Sequence, residues 1–194
     1  HVGLGGVALF GSDIAGFTSA VSPFTTKELF LRWSAAGAFH PLMRTHHGSN
    51  ECGNWAFDRD EETLLHYRRY ASVHTLLFPT FRALADEATA RGLPILRHPY
   101  LVEPTRAGLW REAEAEHFVG DDLLLAPVLQ AGATSRAVLL PEPGWWPLFG
   151  TAPLDAGSAA AGNVWRVEVA AAPTEVPVFV RPGSSLELLA EVVD

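Results

Sequence analysis

Apolar and glycine positions run unbroken from Val2 to Phe10 and stop at Gly11-Ser12-Asp13. The glycines in that run favour a short buried strand ending in a polar turn over a helix. Residues 18–26, a polar stretch around Pro23, read as loop. Thr25 followed by Glu28 has capping-box spacing and predicts a helix from about Lys27 to Ala38, which Pro41 stops. His46 to Asn54 reads as an irregular loop. A long helix is predicted from near Asp58, capped with Glu61 at the third position. Leu64, Tyr67, Ala71, His74, Leu77, Phe78, Phe81 and Ala85 recur every three or four residues as its buried face. Pro79 should kink it and Gly92 should end it. Leu93 to Tyr100 is a second short apolar strand. Strand, helix, strand, with both strands mostly apolar, is the pattern of a parallel α/β sheet.

Near residue 113 the texture changes. Val119 to Leu129, Ala137 to Leu140, Val164 to Ala170 and Val176 to Val180 are short β-like runs separated by Gly, Pro and Ser clusters. This half is predicted to be all-β, a small sandwich. Two domains follow, residues 1–112 and 113–194, an α/β part and an all-β part. Trp145, Trp146 and Trp165 are read as core and rim of the sandwich, and Ala156 to Gly162 as a flexible loop.

Composition narrows the function classes. The 194 residues carry 22 acidic against 14 basic side chains, a formal charge of −8, which argues against a general nucleic-acid binder. No run approaches the length of a membrane span. The lone Cys52 cannot form an internal disulfide and leaves the redox compartment open. The chain begins at His1 with no visible charged leader, so a processed N-terminus or a piece of something longer is expected.

Several motifs invite chemistry. Gly3-Leu4-Gly5-Gly6-Val7-Ala8 matches a dinucleotide-binding pattern in letters only, since it lacks a preceding strand and a helix opening at the third position. His46, His47, Glu51 and Cys52 crowd one loop, but adjacent histidines rarely converge on one ion and no second spaced pair exists. Nothing recognisable lowers the thiol pKa of Cys52. Asp13 is more informative, because a carboxylate just past an apolar strand stands where α/β barrels place polar site residues. A turn aspartate is the equal alternative from spacing alone. His46 likewise ends an apolar stretch, with Arg44 read as a partly buried donor or ion-pair partner holding the loop.

Taken together, three segments resemble the last third of a glycoside hydrolase family 31 catalytic barrel. They are Gly11-Ser12-Asp13-Ile14-Ala15-Gly16-Phe17, Glu28-Leu29-Phe30-Leu31-Arg32-Trp33, and Gly37-Ala38-Phe39-His40-Pro41-Leu42-Met43-Arg44-Thr45-His46. Leu93-Pro94-Ile95-Leu96-Arg97 is similar to that family's last barrel strand. Gly120-Asp121-Asp122-Leu123-Leu124-Leu125-Ala126-Pro127-Val128 resembles the entry to its proximal C-terminal β-sandwich. The resemblance implies the last two β/α units of a (β/α)8 TIM barrel followed by a small antiparallel β-sandwich. It also implies a retaining α-glycosidase that uses one Asp as nucleophile and another as general acid/base. Neither the Trp-x-Asp-Met-x-Glu nucleophile motif nor the Trp-Ser-Gly-Asp acid/base motif occurs in these residues. A full barrel needs roughly 250 residues. A C-terminal piece, inactive by itself, with no catalytic residue of its own is therefore expected.

By the same resemblance, His46 matches the histidine that hydrogen-bonds substrate hydroxyls, Asp13 a wall carboxylate, and Phe17 an aromatic lining the −1 subsite, with Arg44 supporting them. Arg44-Thr45-His46-His47-Gly48-Ser49-Asn50 and Asn54-Trp55-Ala56-Phe57-Asp58 are similar to a bacterial subgroup that includes sulfoquinovosidases. That subgroup tends to have Tyr where this chain has Phe17, and Glu where it has His47. Without the tyrosine hydroxyl, a neutral sugar such as an α-glucoside is expected, with a sulfoquinovoside or α-xyloside as alternatives. The expected partner is an oligosaccharide or α-glycoside substrate; no cofactor, metal, nucleic acid or membrane is expected. Oligomeric state and compartment stay open. The reading from a different class is a non-catalytic carbohydrate-binding module using the β half and its tryptophans.

Overall fold

A computed structural model describes residues 1–17, 24–46, 53–112, 115–149, 159–160 and 164–189. In chain order the elements are β1 (Asp13–Ile14), α1 (Lys27–Gly37), β2 (Arg44–Thr45), α2 (Glu61–Leu76), α3 (Phe78–Arg91), β3 (Leu96–Arg97), α4 (Pro99–Val102) and α5 (Ala107–Glu112). The β half follows with β4 (His117–Val119), β5 (Leu123–Leu125), β6 (Ser135–Leu140), β7 (Trp146–Pro147), β8 (Ala159–Ala160), β9 (Val164–Ala170) and β10 (Val178–Val180). A 3-10 turn spans Ser185–Leu189.

Helix ends follow the capping chemistry, displaced by a residue or two from the expected positions. The cap of α1 is Thr26, whose hydroxyl accepts from the Leu29 amide, whereas Thr25 donates to the Ala15 carbonyl at 2.7 Å. Asp60, not Asp58, caps α2 through the Thr63 amide. Pro79, lacking an amide hydrogen, divides the long helix at Leu77, and Gly92 closes α3 in the left-handed conformation at φ 72°. The buried face is also shifted. Leu77 and Phe81 are interior as expected, but Leu64 and Phe78 are exposed. Thr63, His66, Tyr70 and Val73 form the seam instead. The reason is α1: His66 Nε2 reaches the Leu31 carbonyl and the Ser34 hydroxyl, so polar satisfaction chose the face as much as hydropathy did.

Two expected strands are corrected. Residues 2–10 form turns and irregular chain rather than a strand, with Gly5 N–H donating to Val2 and Gly6 N–H to Gly3. Val2, Leu4, Val7, Leu9 and Phe10 all remain exposed. Glycines at three of its first positions make tight turns cheap, and no described strand pairs with it. Leu93 to Tyr100 shrinks to Leu96–Arg97, and it pairs antiparallel with β4, not parallel with an N-terminal strand. The only parallel pair among the described residues is β1 with β2.

The β half is two antiparallel sheets. One has the order β3-β4-β5-β10-β7 and the other β6-β9-β8. Strict alternation buries the larger sheet on both faces. Val119, Leu123, Leu125, Val178 and Val180 meet Ala35, Tyr70, Val73, Leu77 and Phe81 of the helices. Phe118, Leu124 and Phe179 face Val138, Leu140, Val164 and Val167 of the second sheet. Trp145 is wholly interior on that second side, and Trp146 is half-buried against the first cluster. Arg97, itself buried, ties the layers together by bonding the Pro94 carbonyl, Asp121 at 2.5 Å, and Glu87 of α3.

The layer between the helices and the larger sheet holds two histidines whose burial pushes them down, His40 to about 3 and His117 to about 4. Unfolding returns both to about 6.5, so below that pH the unfolded chain binds protons that the folded chain refuses. They therefore contribute stability that is lost as pH falls from 7 toward 4. Glu116, pushed up to about 7 by burial against its Arg136 partner, acts in the opposite sense over pH 4.5 to 7. Thermal denaturation of His40→Phe should show a smaller loss of midpoint between pH 7 and 4.5 than the wild-type chain. Equal losses would mean that solvent reaches the His40 ring.

Candidate functional site

The polar cluster stands where β1 and β2 end. Their parallel register sets Asp13 opposite Arg44 and Ile14 opposite Thr45, and the His46 amide donates to the Ile14 carbonyl at 2.8 Å. The pair is only two residues long, so packing must hold it. Ile14 is fully buried beneath Phe30 of α1. A Cβ on Gly37 would come 2.9 Å from Ile14 Cδ1. A Cβ on Gly11 would lie 2.3 Å from the Leu42 carbonyl oxygen. Only glycine lets these segments approach so closely.

Directly after β1 the chain reverses. Gly16 N–H donates to the Asp13 carbonyl at 2.9 Å, and Ala15 adopts a left-handed φ of 80°. That conformation is strained for a residue with a Cβ and is typical of sites whose geometry is over-determined by their surroundings. Here the restraint is the Thr25 hydroxyl on the Ala15 carbonyl. Thr25 is fixed in turn by Asn54, whose side chain accepts the Thr25 amide at 3.0 Å, and by the Trp55 amide on its carbonyl at 2.9 Å. Asn54 is interior. Asn54 and Ser12, which accepts from Trp33 Nε1 at 2.7 Å, were not singled out by spacing, and Thr25 signalled itself only as a helix cap.

Asp13 Oδ1 accepts from Arg44 Nε at 2.5 Å. That hydrogen bond, with the charges of Arg44 and His46, holds the carboxyl below its usual range and raises the Arg44 guanidinium correspondingly. Asp13 is an anion at neutral pH. Arg44 was expected to be partly buried; its side chain is 66% exposed, because the strand pair leaves its outer face open. Phe17 is exposed and its ring lies 4.9 Å from the His46 ring at 56°. Asp13 and Arg44 line a hollow of about 440 Å³ with Gly11, Ser12, Leu42 and Met43. Phe17 and His46 are not part of that lining; they stand beyond it at the strand ends. The loop residues His47, Glu51 and Cys52, whose pattern argues against a metal site, lie outside the described residues, as does most of the expected 156–162 loop. Among the described residues no group of three or more His, Cys, Asp or Glu could hold a metal, and no helix is long and apolar enough to cross a membrane.

Polar side chains at the carboxyl ends of parallel strands, continued through helices into a two-sheet β domain, define a barrel-derived chain with an attached β domain. Residues 1–84 match the glycosyl hydrolases family 31 TIM-barrel domain, and residues 92–186 the glycosyl hydrolase family 31 C-terminal domain. The chain belongs to glycoside hydrolase family 31. It is 38% identical over 144 residues to a sulfoquinovosidase of Agrobacterium fabrum, covering 74% of this chain and 22% of that protein. It is 34% identical over 179 residues to a sulfoquinovosidase of Escherichia coli, covering 92% of this chain and 25% of that one. A solved family 31 sulfoquinovosidase from E. rectale, bound to an aza-sugar inhibitor, superposes with a TM-score of 0.84 at 31% identity, over 98% of this chain and 27% of its own. The chain thus spans about a quarter of the length of the relatives it matches.

Because Gly11 touches the Leu42 backbone, Gly11→Ala should force β1 and β2 apart. A loss of roughly 1–3 kcal/mol in unfolding free energy is expected, the usual cost of overpacking. Denaturant titration reads it, and an unchanged midpoint would show that the strand pair is not held by this approach.

Proposed function

We propose that this chain supplies one wall of the glycosyl-binding pocket of a retaining α-glycosidase, acting on a neutral α-glycoside such as an α-glucoside. The observation that carries the reading is the shared register of β1 and β2. It sets Asp13 opposite Arg44 and brings His46 in two residues further along, beyond the end of β2, where a barrel presents substrate-facing groups. His46 would hydrogen-bond ring hydroxyls, Asp13 would stand as a wall carboxylate oriented by Arg44, and Phe17 would line the −1 subsite beside His46. Such groups orient the sugar and strengthen their hold towards the oxocarbenium-like transition state; they do not break the bond. The nucleophile and the acid/base would come from polypeptide outside these 194 residues. The barrel strands expected at residues 2–10 and 93–97 are replaced in this reading by β1 and β2, which would be the strands of the barrel's last two β/α units. Residues 1–112 form its C-terminal part and 113–194 the proximal sandwich, with β3 reaching across to the sandwich sheet.

Sulfoquinovoside hydrolysis is the second reading, favoured by the likeness to sulfoquinovosidases. Phe17 weighs against it, because it has no hydroxyl to offer a sulfonate. A carbohydrate-binding module centred on the tryptophans is disfavoured by the interior position of Trp145.

The 194-residue chain should show no turnover of an aryl α-glucoside. In a longer polypeptide that includes the catalytic carboxylates, His46→Ala should lose roughly 2–4 kcal/mol of transition-state stabilisation. A kcat/KM within twofold of wild type would make His46 structural. Steady-state comparison of aryl α-glucoside with aryl α-sulfoquinovoside should favour the glucoside, and Phe17→Tyr should narrow the ratio. A wild-type preference for the sulfonated sugar would replace the first reading by the second.

A further inference from the structure

Three successive carbonyls at the end of β1 are each held by a different group. That of Asp13 accepts the Gly16 amide at 2.9 Å, that of Ile14 the His46 amide at 2.8 Å, and that of Ala15 the Thr25 hydroxyl at 2.7 Å. The third bond is the one made by a side chain, and it falls on the residue whose backbone is strained. Ala15 and Gly16 are both left-handed, at φ 80° and 89°. Glycine enters that region readily, whereas the alanine Cβ is crowded there. Without a restraint, Ala15 would relax to negative φ and swing Gly16 and Phe17 away from β2.

Packing does little to hold Phe17 in place. The residue is 61% exposed and its ring meets the His46 ring at 4.9 Å, so the direction of the backbone at Ala15 and Gly16 sets where it stands. Thr25, by contrast, is clamped from both sides. Its amide donates to Asn54 Oδ1 at 3.0 Å, and its carbonyl accepts the Trp55 amide at 2.9 Å. Asn54 is interior, and its own carbonyl accepts from Arg59 at 3.1 Å. Trp55 is tied to α2 by its Nε1, which donates to the Thr63 hydroxyl at 3.1 Å. A Cβ on Gly53 would lie 2.6 Å from the Phe24 ring, so the 53–55 and 24–25 stretches are pressed together. Restraint thus passes from the start of α2, through Asn54, Trp55 and Thr25, to Ala15.

We propose that Thr25, seated by Asn54, is a positioning residue of the strand-end pocket: its hydroxyl locks the left-handed turn at Ala15 and thereby sets Phe17 against His46. The inference rests on the proposed pocket and deepens it, by naming a residue that shapes the sugar wall from behind. With the hydroxyl removed, Ala15 leaves the left-handed region and the wall loses Phe17.

The backbone step is tested by NMR on the 194-residue chain. The ring-current shift of the His46 ring C–H signals, defined by their change in Phe17→Leu, reports the contact between the two rings. Thr25→Val keeps the side-chain shape without the hydroxyl and should abolish that shift, while Thr25→Ser should keep it. Combining Ala15→Gly with Thr25→Val should recover at least about half of it, because glycine needs no lock. Should Thr25→Val fail to fold, Asn54→Ala, which removes the acceptor of the Thr25 amide, must abolish the shift in its place. A shift unchanged in Thr25→Val would overturn the proposal. So would a double variant with no recovery, which would place the effect elsewhere than at Ala15.

The functional step is read as kcat/KM for an aryl α-glucoside in a longer polypeptide that includes the catalytic carboxylates. Phe17→Ala and Thr25→Val should each lower it at least about tenfold, the scale of a misplaced pocket wall. Together they should cost no more than Phe17→Ala alone, since the lock acts through that ring. Full additivity, with Phe17→Ala costly, would overturn the positioning role and leave the pocket standing. Phe17→Ala without effect would instead sink the pocket reading at Phe17, and the positioning role with it, even where the NMR shift behaves as expected.

Discussion

The two-sided burial of the sheet β3-β4-β5-β10-β7 is the constraint on which the other elements depend. Each of its central strands is only three residues long, yet every side chain of β5 and β10 is interior, alternating between the helices and the second sheet. A sheet buried on both faces cannot slip register by one residue without exchanging its two cores. That fixes α1, α2 and α3 against one side, and α1 in turn covers β1. The side chains at the ends of β1 and β2 are thus positioned from behind, through Ile14, Phe30 and Ala35, by a β half that carries none of them.

What holds the strand ends themselves is close packing rather than charge. The Asp13–Arg44 pair is short, but Arg44 is largely exposed, and ion pairs open to solvent contribute little net stability. Its use is orientation: the guanidinium keeps Asp13 ionised and turned toward its neighbour strand. Gly11 against Leu42, Gly37 against Ile14 and the strained Ala15 do the positioning. Strain at Ala15, locked by Thr25 and Asn54, is the kind of local cost that a fold retains where a geometry is needed.

Much of this was legible in the residues. Helix ends signalled themselves through side-chain chemistry, Gly92 and Pro79 in particular, and the β half through short apolar runs. The segments around Asp13 and His46 announced the family, because their spacing is specific. The strand expected at residues 2–10 was not formed, since an apolar run says only that burial is favourable, not that a pairing partner exists. Leu96–Arg97 was read as parallel because a strand after a helix usually is; its actual partner, β4, lies later in the chain and leaves no local trace. The buried face of α2 was offset for a related reason: His66 and Thr63 look polar in isolation and become interior only through partners on α1 and Trp55. The sealed histidines were likewise invisible, because which nitrogens lose water is a property of the packed layers.

The most direct measurement is a crystal structure of a longer polypeptide that contains these residues and the catalytic carboxylates, bound to an aza-sugar glycosidase inhibitor. The account predicts the inhibitor ring at the carboxyl ends of β1 and β2, with His46 within hydrogen-bond distance of its hydroxyls, Phe17 against the ring and Asp13 on the adjoining wall. An inhibitor seated in a catalytic pocket that none of these three side chains borders would contradict it.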